Sequence, residues 1–215
     1  MSKAEQQMTG KGELEAIVAS LGARLARAEG EGAFAPELKQ AAVALVLRAN
    51  LGAAEMLIIK RAVDPRDHWS GHLALPGGRR EPEDADLART AARETWEEVG
   101  MDLAAGGRIL GRLPTITPRS PLAPQFAVTP YVALAPVAYN VSLQQDAATL
   151  SLSSEVESAF WVPVSFLRRN GASEIVRLAV GDAEQQREWP AYATEHGLIW
   201  GLTERILTGF LKLLD

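Results

Sequence analysis

The spacing of hydrophobic positions predicts a helix at each end of this chain and strands between them. Between Glu13 and Ala28, apolar residues recur at the spacing of one helix face, namely Leu14, Ile17, Val18, Leu21 and Leu25. This amphipathic helix has two open uses, packing on its own domain or pairing with a second copy of the chain in a homodimer. The polar residues 1–12 before it are expected to be irregular. At the other end, residues 199–214 are predicted to hold a closing helix with one apolar side.

Short apolar runs predict the strands, at residues 41–48, 56–61, 108–113, 126–134, 174–180 and 187–192. The first two runs flank a turn that contains Gly52, so they form a predicted hairpin that feeds a central sheet. The last two runs are also expected to pair, through a turn at 181–184. Between the middle two lies a Pro-rich stretch from Pro114 to Pro124. A loop of this length between strands is a candidate substrate lid.

Composition limits the class of protein. With 215 residues and 47% hydrophobic content, the chain can bury one core, and we expect an extension at 1–35 and one domain at 36–215. The net charge of −5 argues against non-specific nucleic-acid binding, and without cysteine there is no disulfide, thiolate nucleophile or zinc–cysteine site. No apolar run reaches the roughly 20 residues that a membrane span needs. We therefore expect a cytoplasmic protein with no nucleic-acid or membrane partner.

The candidate chemistry lies between Trp69 and Met101. There Glu94, Glu97 and Glu98 fall at i, i+3 and i+4, which places three carboxylates on one face of a helix. Like charges at this spacing repel each other. A hard divalent cation such as Mg²⁺ or Mn²⁺ would remove this cost, because such cations bind carboxylate oxygens.

The flanks of this helix carry matching signals. Pro76-Gly77-Gly78 is a turn that allows the backbone to approach a ligand closely, so both glycines are candidate substrate-binding residues. Asp84 or Asp86 can cap the start of the helix, and Gly100 can end it in the left-handed conformation. The alternative is a solvated helix with a Glu-rich outer face. Five fixed residues at this spacing match by chance only about once in 10⁴ chains, which favours a functional site.

The segment resembles the Nudix box of the Nudix hydrolases, G-x5-E-x7-R-E-U-x-E-E-x-G-U, in which U is aliphatic. The matching residues are Arg93, Glu94, Glu97, Glu98, Gly100 and Met101. Thr95 stands where an aliphatic residue is usual. Counted from Gly78, the interval to Arg93 is one residue longer than in the pattern, and Asp84 takes the acidic position. The coenzyme A pyrophosphatase-like branch of the family has the same extra residue and often an Asp there.

The resemblance implies the Nudix fold, an α/β (α+β) architecture in which a mixed β-sheet is sandwiched between helices. It implies that the partner is a small nucleotide, a nucleoside diphosphate linked to another moiety, whose diphosphate bond is hydrolysed with Mg²⁺ or Mn²⁺. The metal ligands would be Glu94, Glu97 and Glu98. Glu94, Glu98 and Glu155 all stay open as the general base. Arg93 is expected to hold the Glu97 carboxylate in place, as a residue that supports the catalytic groups.

Further resemblances to this branch lie outside the box. Residues 155–163 resemble a late element, E-V-x-x-x-F-W-V-P, which places Glu155 at a loop edge before a strand, and a short helix should follow at 164–169. Arg61 ends a partial match to an upstream signature, L-L-T-x-R. Arg61, and Arg119 in the Pro-rich loop, are candidate phosphate-binding residues. The alternatives are a surface ion pair for the first and a solvated loop arginine for the second.

Within this branch the expected substrate is coenzyme A or an acyl-CoA. Its support is the extra box residue, the spacing from Gly71 to Pro76-Gly77-Gly78, the long central loop and Trp200–Gly201 near the end. His72 in place of Gln, and Lys60 in the upstream signature, depart from the branch. A nucleoside diphosphate sugar or ADP-ribose is the alternative substrate. The alternative from another class is a catalytically silent nucleotide-binding regulator, which would be expected to lose a box glutamate, whereas this chain keeps all three.

Overall fold

A computed structural model describes residues 3–28, 38–65, 69–117, 126–141, 147–179 and 186–215 of the chain. The helices within these ranges are Lys3–Ala28 (α1), Leu87–Val99 (α2), Val164–Asn170 (α3), Gly201–Lys212 (α4) and a short 3₁₀ helix, Val137–Tyr139. Helix α1 begins at Lys3, so the expectation of an irregular start was wrong for residues 3–12. Ala, Glu, Gln and Met in this segment have high helix propensity, so they extend a helix at little cost in free energy once it is nucleated. None of the helices in the described ranges is both long enough and apolar enough to cross a membrane.

Within the described ranges, seven strands form the main sheet, namely Lys39–Asn50 (β1), Ala53–Arg61 (β2), Leu73–Ala74 (β3), Gly77–Arg79 (β4), Arg108–Arg112 (β5), Phe126–Leu134 (β6) and Val156–Pro163 (β7). A second sheet holds Glu174–Ala179 (β8), Gln186–Thr194 (β9) and Gly197–Trp200 (β10), in the order β10-β9-β8. Every predicted strand run corresponds to one of these elements. The turn expected at 181–184 lies outside the described residues.

The main sheet is mixed. Strand β1 runs parallel to β6, with Ala41 beside Val128, and the other pairings between its described strands are antiparallel. The predicted hairpin is confirmed, because β1 and β2 pair antiparallel around their turn. Both strands are buried on their two faces in their central parts, which explains why their sequences are nearly continuous apolar runs.

Helices cover both faces of the main sheet. Successive side chains of a strand point to opposite faces, so Ala44 and Leu45 of β1 enter different buried clusters. The cluster with Ala44 also contains Ala91 and Val99 of α2. The cluster with Leu45 contains apolar residues of α1, α3 and α4. This arrangement confirms the predicted fold class, a mixed sheet between helices.

Helix α1 packs on the sheet of its own chain. Ile17, Leu21 and Leu25 are buried in the same cluster as the strand residues, and Ala54 N donates a hydrogen bond to Glu13 Oε2 at 2.9 Å. Of the two uses that the sequence left open, packing on its own domain is the one observed. The division of the chain at residue 35 and the homodimer stay predictions.

Candidate active site

Helix α2 has a well-defined start and end. Asp86 is its N-cap, because its side chain accepts a hydrogen bond from Arg89 N at 2.8 Å. Gly100 lies just beyond the end with φ 69°, in the left-handed region, and its N–H donates to Trp96 O. The predicted role of Gly100 is therefore confirmed, and Asp86 is the capping residue of the two considered. These caps set the positions from which the glutamates leave the helix.

Asp84 has a different role, in the turn before α2. Its carboxylate accepts two hydrogen bonds from Arg93, from Nε at 3.1 Å and from a terminal nitrogen at 2.9 Å. It also accepts from the Thr90 hydroxyl and the Glu81 N–H. The Arg93 hydrogen bond is the main cause that holds the pKa of Asp84 well below its usual range. This bidentate pair between buried Asp84 and half-buried Arg93 spans a turn, where hydrophobic periodicity carries no signal for it.

The Arg93 guanidinium connects this turn with the helix and with strand β4. Besides Asp84, it donates to Glu94 Oε1 at 3.0 Å, to Glu97 Oε2 at 2.9 Å and to Arg79 O at 2.9 Å. The contact with Glu97 that the spacing predicted is present, and the contact with Glu94 is additional. Asp84 is the main cause that raises the pKa of Arg93, so the guanidinium stays charged. This geometry suits a positioning residue that orients two carboxylates at once.

Glu98 points inward from α2 and is buried. Its Oε2 accepts a hydrogen bond from Gly77 N at 2.9 Å, and its Oε1 lies 3.8 Å from a terminal nitrogen of Arg61. Burial raises the pKa of Glu98 to about 7, against the opposing effects of Gly77 and Arg61. The charges of Glu94 and Glu155 raise it further. A buried carboxyl group that has a pKa near neutrality and lies beside an arginine is typical of a functional site.

Glu94 lies against the glycine turn. A Cβ atom on Gly78 would fall 2.5 Å from Glu94 Cδ, so the carboxylate occupies the space that a side chain would need. Gly77 has φ +152°, and a Cβ there would fall 2.6 Å from Val43 Cα. Burial raises the pKa of Glu94, and Arg93 opposes the shift. The two glycines therefore serve different needs, because Gly78 gives room to a carboxylate and Gly77 gives room to the backbone.

Glu155 reaches the same place from the loop before β7. Ser153 N donates to Glu98 O at 3.0 Å, which ties this loop to the end of α2, and Ala62 N donates to Glu155 O at 2.8 Å. The Glu155 charge contributes to the raised pKa values of Glu94 and Glu98. The predicted position at a loop edge is confirmed, since β7 begins at the next residue. The fold thus brings a fourth carboxylate to the site from a distant part of the chain.

Comparison with known proteins identifies the family. A family profile described as the NUDIX domain matches residues 38–178. This chain belongs to the Nudix family. It is 32% identical over 152 residues to the Nudix hydrolase NudL of Photorhabdus laumondii, in an alignment that covers 71% of this chain and 73% of that protein. Its identity to NudL of Yersinia enterocolitica is 30%, with coverage of 71% and 70%. A Schizosaccharomyces pombe protein, C14C4.10c, is 37% identical over 115 residues, which cover 52% of this chain but only 32% of that protein.

Two solved structures share the Nudix fold with this chain. A MutT/nudix family protein from Enterococcus faecalis superposes with a TM-score of 0.54 at 18% identity, covering 100% of this chain and 75% of that one. A NUDIX hydrolase from Alicyclobacillus acidocaldarius gives 0.53 at 19% identity, covering 83% and 93%. At such identity the likeness shows the fold alone. Family membership makes the chain an enzyme, a Nudix-type hydrolase of diphosphate bonds.

The three glutamates of this Nudix box are not equivalent. Glu98 is buried and Glu94 is half-buried, whereas the Glu97 side chain is 47% exposed on the outer edge of the helix face. Among the residues that the structure describes, no three acidic or histidine side chains converge closely enough to enclose a metal ion. The donor set still suits Mg²⁺ or Mn²⁺, because all three offer carboxylate oxygens and the repulsion between Glu94 and Glu98 is a cost that a divalent cation offsets. Their assignment as metal ligands stays a prediction.

Other parts of the predicted Nudix site lie outside the box. Arg119 falls outside the described residues, as does most of the candidate lid, so their roles stay predictions. His72, which stands where the branch has Gln, accepts a hydrogen bond from Arg61 N through its main-chain oxygen at 3.0 Å. Its ring packs against Trp200 with 4.8 Å between ring centroids. The sequence carried no signal for this contact, because it joins two segments far apart in the chain.

Proposed function

We propose that this Nudix hydrolase cleaves the diphosphate bond of a nucleoside diphosphate linked to another moiety, with coenzyme A or an acyl-CoA as the favoured substrate. The observation that carries the proposal is the grouping of Glu94, Glu98 and Glu155 beside the Gly77–Gly78 turn, whose Gly77 N–H donates to Glu98. Burial and mutual repulsion raise the pKa values of Glu94 and Glu98. This cluster of carboxylates destabilises the folded protein, because like charges that are close together and partly buried repel each other. It suits a substrate whose own negative charge is carried with a divalent cation.

Mg²⁺ or Mn²⁺ held by Glu94, Glu97 and Glu98 would neutralise the diphosphate oxygens and orient the attacking water. The residues of the chain hold these carboxylates in position. Arg93 donates to Glu94 and Glu97, and the Gly77 N–H donates to Glu98. Because hydrogen bonds orient the carboxylates in advance, little reorganisation is needed when substrate arrives.

Glu98 is the general base that the geometry favours. In the metal-free protein Glu98 has a pKa of about 7, so before a divalent cation binds it can hold or release a proton at neutral pH, as a general acid–base group must. Glu94 and Glu155 are the alternatives, since both lie close enough to influence the Glu98 charge. Arg61, 3.8 Å from Glu98, is our candidate for binding a substrate phosphate, because a guanidinium can donate to a phosphate in a bidentate manner.

The preference for coenzyme A rests on sequence features. These are the extra residue between Gly78 and Arg93, the glycine and Pro-Gly-Gly spacing upstream, and Trp200–Gly201. ADP-ribose and nucleoside diphosphate sugars are the second candidates. His72 is the residue that points to them, because it stands where the coenzyme A branch has Gln and lies next to Arg61.

The test is product analysis with Mg²⁺ across coenzyme A, an acyl-CoA, ADP-ribose, a nucleotide sugar and a dinucleoside polyphosphate. Release of a 3′-phosphoadenosine phosphate from coenzyme A supports the favoured substrate. Cleavage confined to ADP-ribose or the nucleotide sugar rejects it and retains the diphosphatase function. Lack of cleavage across the panel, with Mg²⁺ still bound, favours the silent nucleotide-binding regulator. Glu97→Gln should abolish Mg²⁺-dependent turnover while the fold stays intact, and unchanged turnover would reject the metal assignment.

A further inference from the structure

A cavity of about 620 Å³ opens between α3, β9 and α4. Helices α3 and α4 pack on the face of the main sheet opposite to α2. The described residues that line the cavity include none of the Nudix box glutamates, Arg61 or Glu155. It is therefore separate from the site described above. Its size is in the range of pockets that hold small molecules.

The inner wall of this cavity carries a line of three hydrogen-bonding side chains. Thr208 donates its hydroxyl hydrogen to Glu204 Oε1 at 2.7 Å. A hydroxyl has one hydrogen, so Thr208 must accept from the Tyr192 hydroxyl, which lies 2.8 Å away. Glu204 is 5% exposed and Tyr192 is 3% exposed. The line therefore runs from Tyr192 through Thr208 and ends on a buried carboxylate that faces the cavity.

The Glu204 carboxylate has unused acceptor capacity. Within the ranges that the structure describes, the Thr208 hydroxyl is its one hydrogen-bond donor, and no cation lies within ion-pair distance. The first turn of α4, which carries a partial positive charge, offsets part of the cost of burying it. A carboxylate has about four acceptor positions, and those that Thr208 leaves free face the cavity, where solvent reaches them. A ligand with N–H or O–H donors would fill them.

The mouth of the cavity has the opposite charge. Arg169 and Lys212 line it with exposed side chains, and neither has an ion-pair partner among the described residues. Arg168, the third cation of the rim, is held by Asp215 at 3.1 Å. Lys212 follows Glu204 by eight residues on α4, which corresponds to about 12 Å along the helix axis. The main-chain positions of the two residues are therefore separated along the axis by roughly the length of a mononucleotide.

We propose that this cavity is a second ligand site, which binds a small phosphate monoester whose opposite end carries N–H or O–H donors. The donors meet Glu204 inside the cavity, and the phosphate meets Arg169 and Lys212 at its mouth. The site stands independently of the proposed function, but that function supplies a source of the ligand. Hydrolysis of a diphosphate bond adds one water across the P–O–P linkage and leaves two phosphate monoesters, so either product has the required chemistry.

The test is calorimetric binding to the full chain in the presence of a metal chelator, with AMP, adenosine, inorganic phosphate and 4′-phosphopantetheine as probes. AMP or phosphopantetheine should bind, and adenosine and inorganic phosphate should each bind at least tenfold more weakly than AMP. Which monoester binds more tightly identifies the source. Lys212→Gln should weaken monoester binding at least tenfold and leave adenosine binding unchanged, because Lys212 meets only the phosphate. Arg177→Gln, the same charge change at an exposed position away from the cavity, is the matched control.

Glu204→Gln should weaken the binding of both AMP and adenosine, provided that its melting curve shows a folded protein. Glu98→Gln should leave monoester binding unchanged, and loss of binding in that variant would place the ligand at the Nudix box and overturn the proposal. Equal monoester affinity in wild type and Lys212→Gln would also overturn it, and this surface variant keeps the test decisive if Glu204→Gln does not fold. Hydrolysis at low product concentration should be the same in Lys212→Gln and wild type. If no substrate in the hydrolysis panel is cleaved, this binding result is unaffected, so either proposal can be rejected without the other.

Discussion

Replacement of Glu98 by Gln removes one negative charge from a buried position and keeps the shape of the side chain. Burial raises the pKa of Glu98 from 4.5 to about 7. Ionising this group in the folded protein therefore costs about 3 kcal/mol more than ionising it in the unfolded chain. Between these two pKa values the folded state binds more protons than the unfolded state. The contribution of Glu98 to stability is thus fully present below pH 4.5 and is lost as the pH rises through about 7.

We expect the metal-free wild-type protein to lose up to about 3 kcal/mol of unfolding free energy through Glu98 between about pH 5 and about pH 8. Glu98→Gln should lack that part of the pH dependence. The measurement is urea unfolding in the presence of a chelator at several pH values in this range. The difference between the two pH profiles is the diagnostic quantity, because a fixed cost of burying the amide is the same at every pH.

Glu97→Gln is the matched control, since it makes the same chemical change on the same helix at a side chain that is 47% exposed. It should keep the wild-type pH profile. Parallel profiles for wild type and Glu98→Gln would refute the reasoning, because the buried carboxylate would then not be the group that titrates. Added Mg²⁺ should stabilise the wild type more than Glu98→Gln at about pH 8, since a ligand that binds only the folded state stabilises it. Equal stabilisation of both would remove Glu98 from the metal ligands.

Three further substitutions test other parts of the structure. Gly78→Ala should fold with a near-normal melting temperature but lose at least tenfold in kcat, because its Cβ displaces the flexible Glu94 carboxylate. In Gly77→Ala the new Cβ would meet backbone atoms instead, so this variant should have a lower melting temperature. Full activity of Gly78→Ala in the hydrolysis assay would contradict this. Asp84→Asn should lower the unfolding free energy by about 2 kcal/mol near neutral pH, since it removes the buried carboxylate that accepts two hydrogen bonds from the half-buried Arg93 guanidinium. Folding lowers the pKa of Asp84, so its contribution to stability is present above about pH 4 and is lost as the pH falls through the folded pKa. Urea unfolding should therefore show that the difference in unfolding free energy between wild type and variant shrinks in acid. A difference that stays constant with pH would refute this. Leu21→Ala should cost about 2–5 kcal/mol in one cooperative transition, because it opens a cavity under α1, and an unchanged melting curve would show that α1 does not belong to the core.

The sequence by itself determined the elements whose signals are local. The central hairpin, the paired strands after α3 and the limits of α2 follow from hydrophobic period and from cap residues, which act within a few positions along the chain. The carboxylate face of α2 is of the same kind, because a period of 3.6 residues converts spacing directly into direction. Gly100 ends the helix for a reason that needs no distant partner, since glycine enters the left-handed region without strain. The carboxylate face of the box and the limits of its helix could therefore be predicted in advance of any coordinates.

Only the tertiary structure decided how the carboxylates differ. Spacing places Glu97 and Glu98 on one helix face, but the position of the glycine turn buries Glu98 and leaves Glu97 in contact with solvent. Glu155 joins the site because main-chain hydrogen bonds attach its loop to the end of α2. Asp84 holds Arg93 across a turn, where no periodic pattern applies. Burial and charge interactions depend on which distant elements pack together, and hydrophobic periodicity within one segment does not contain that information.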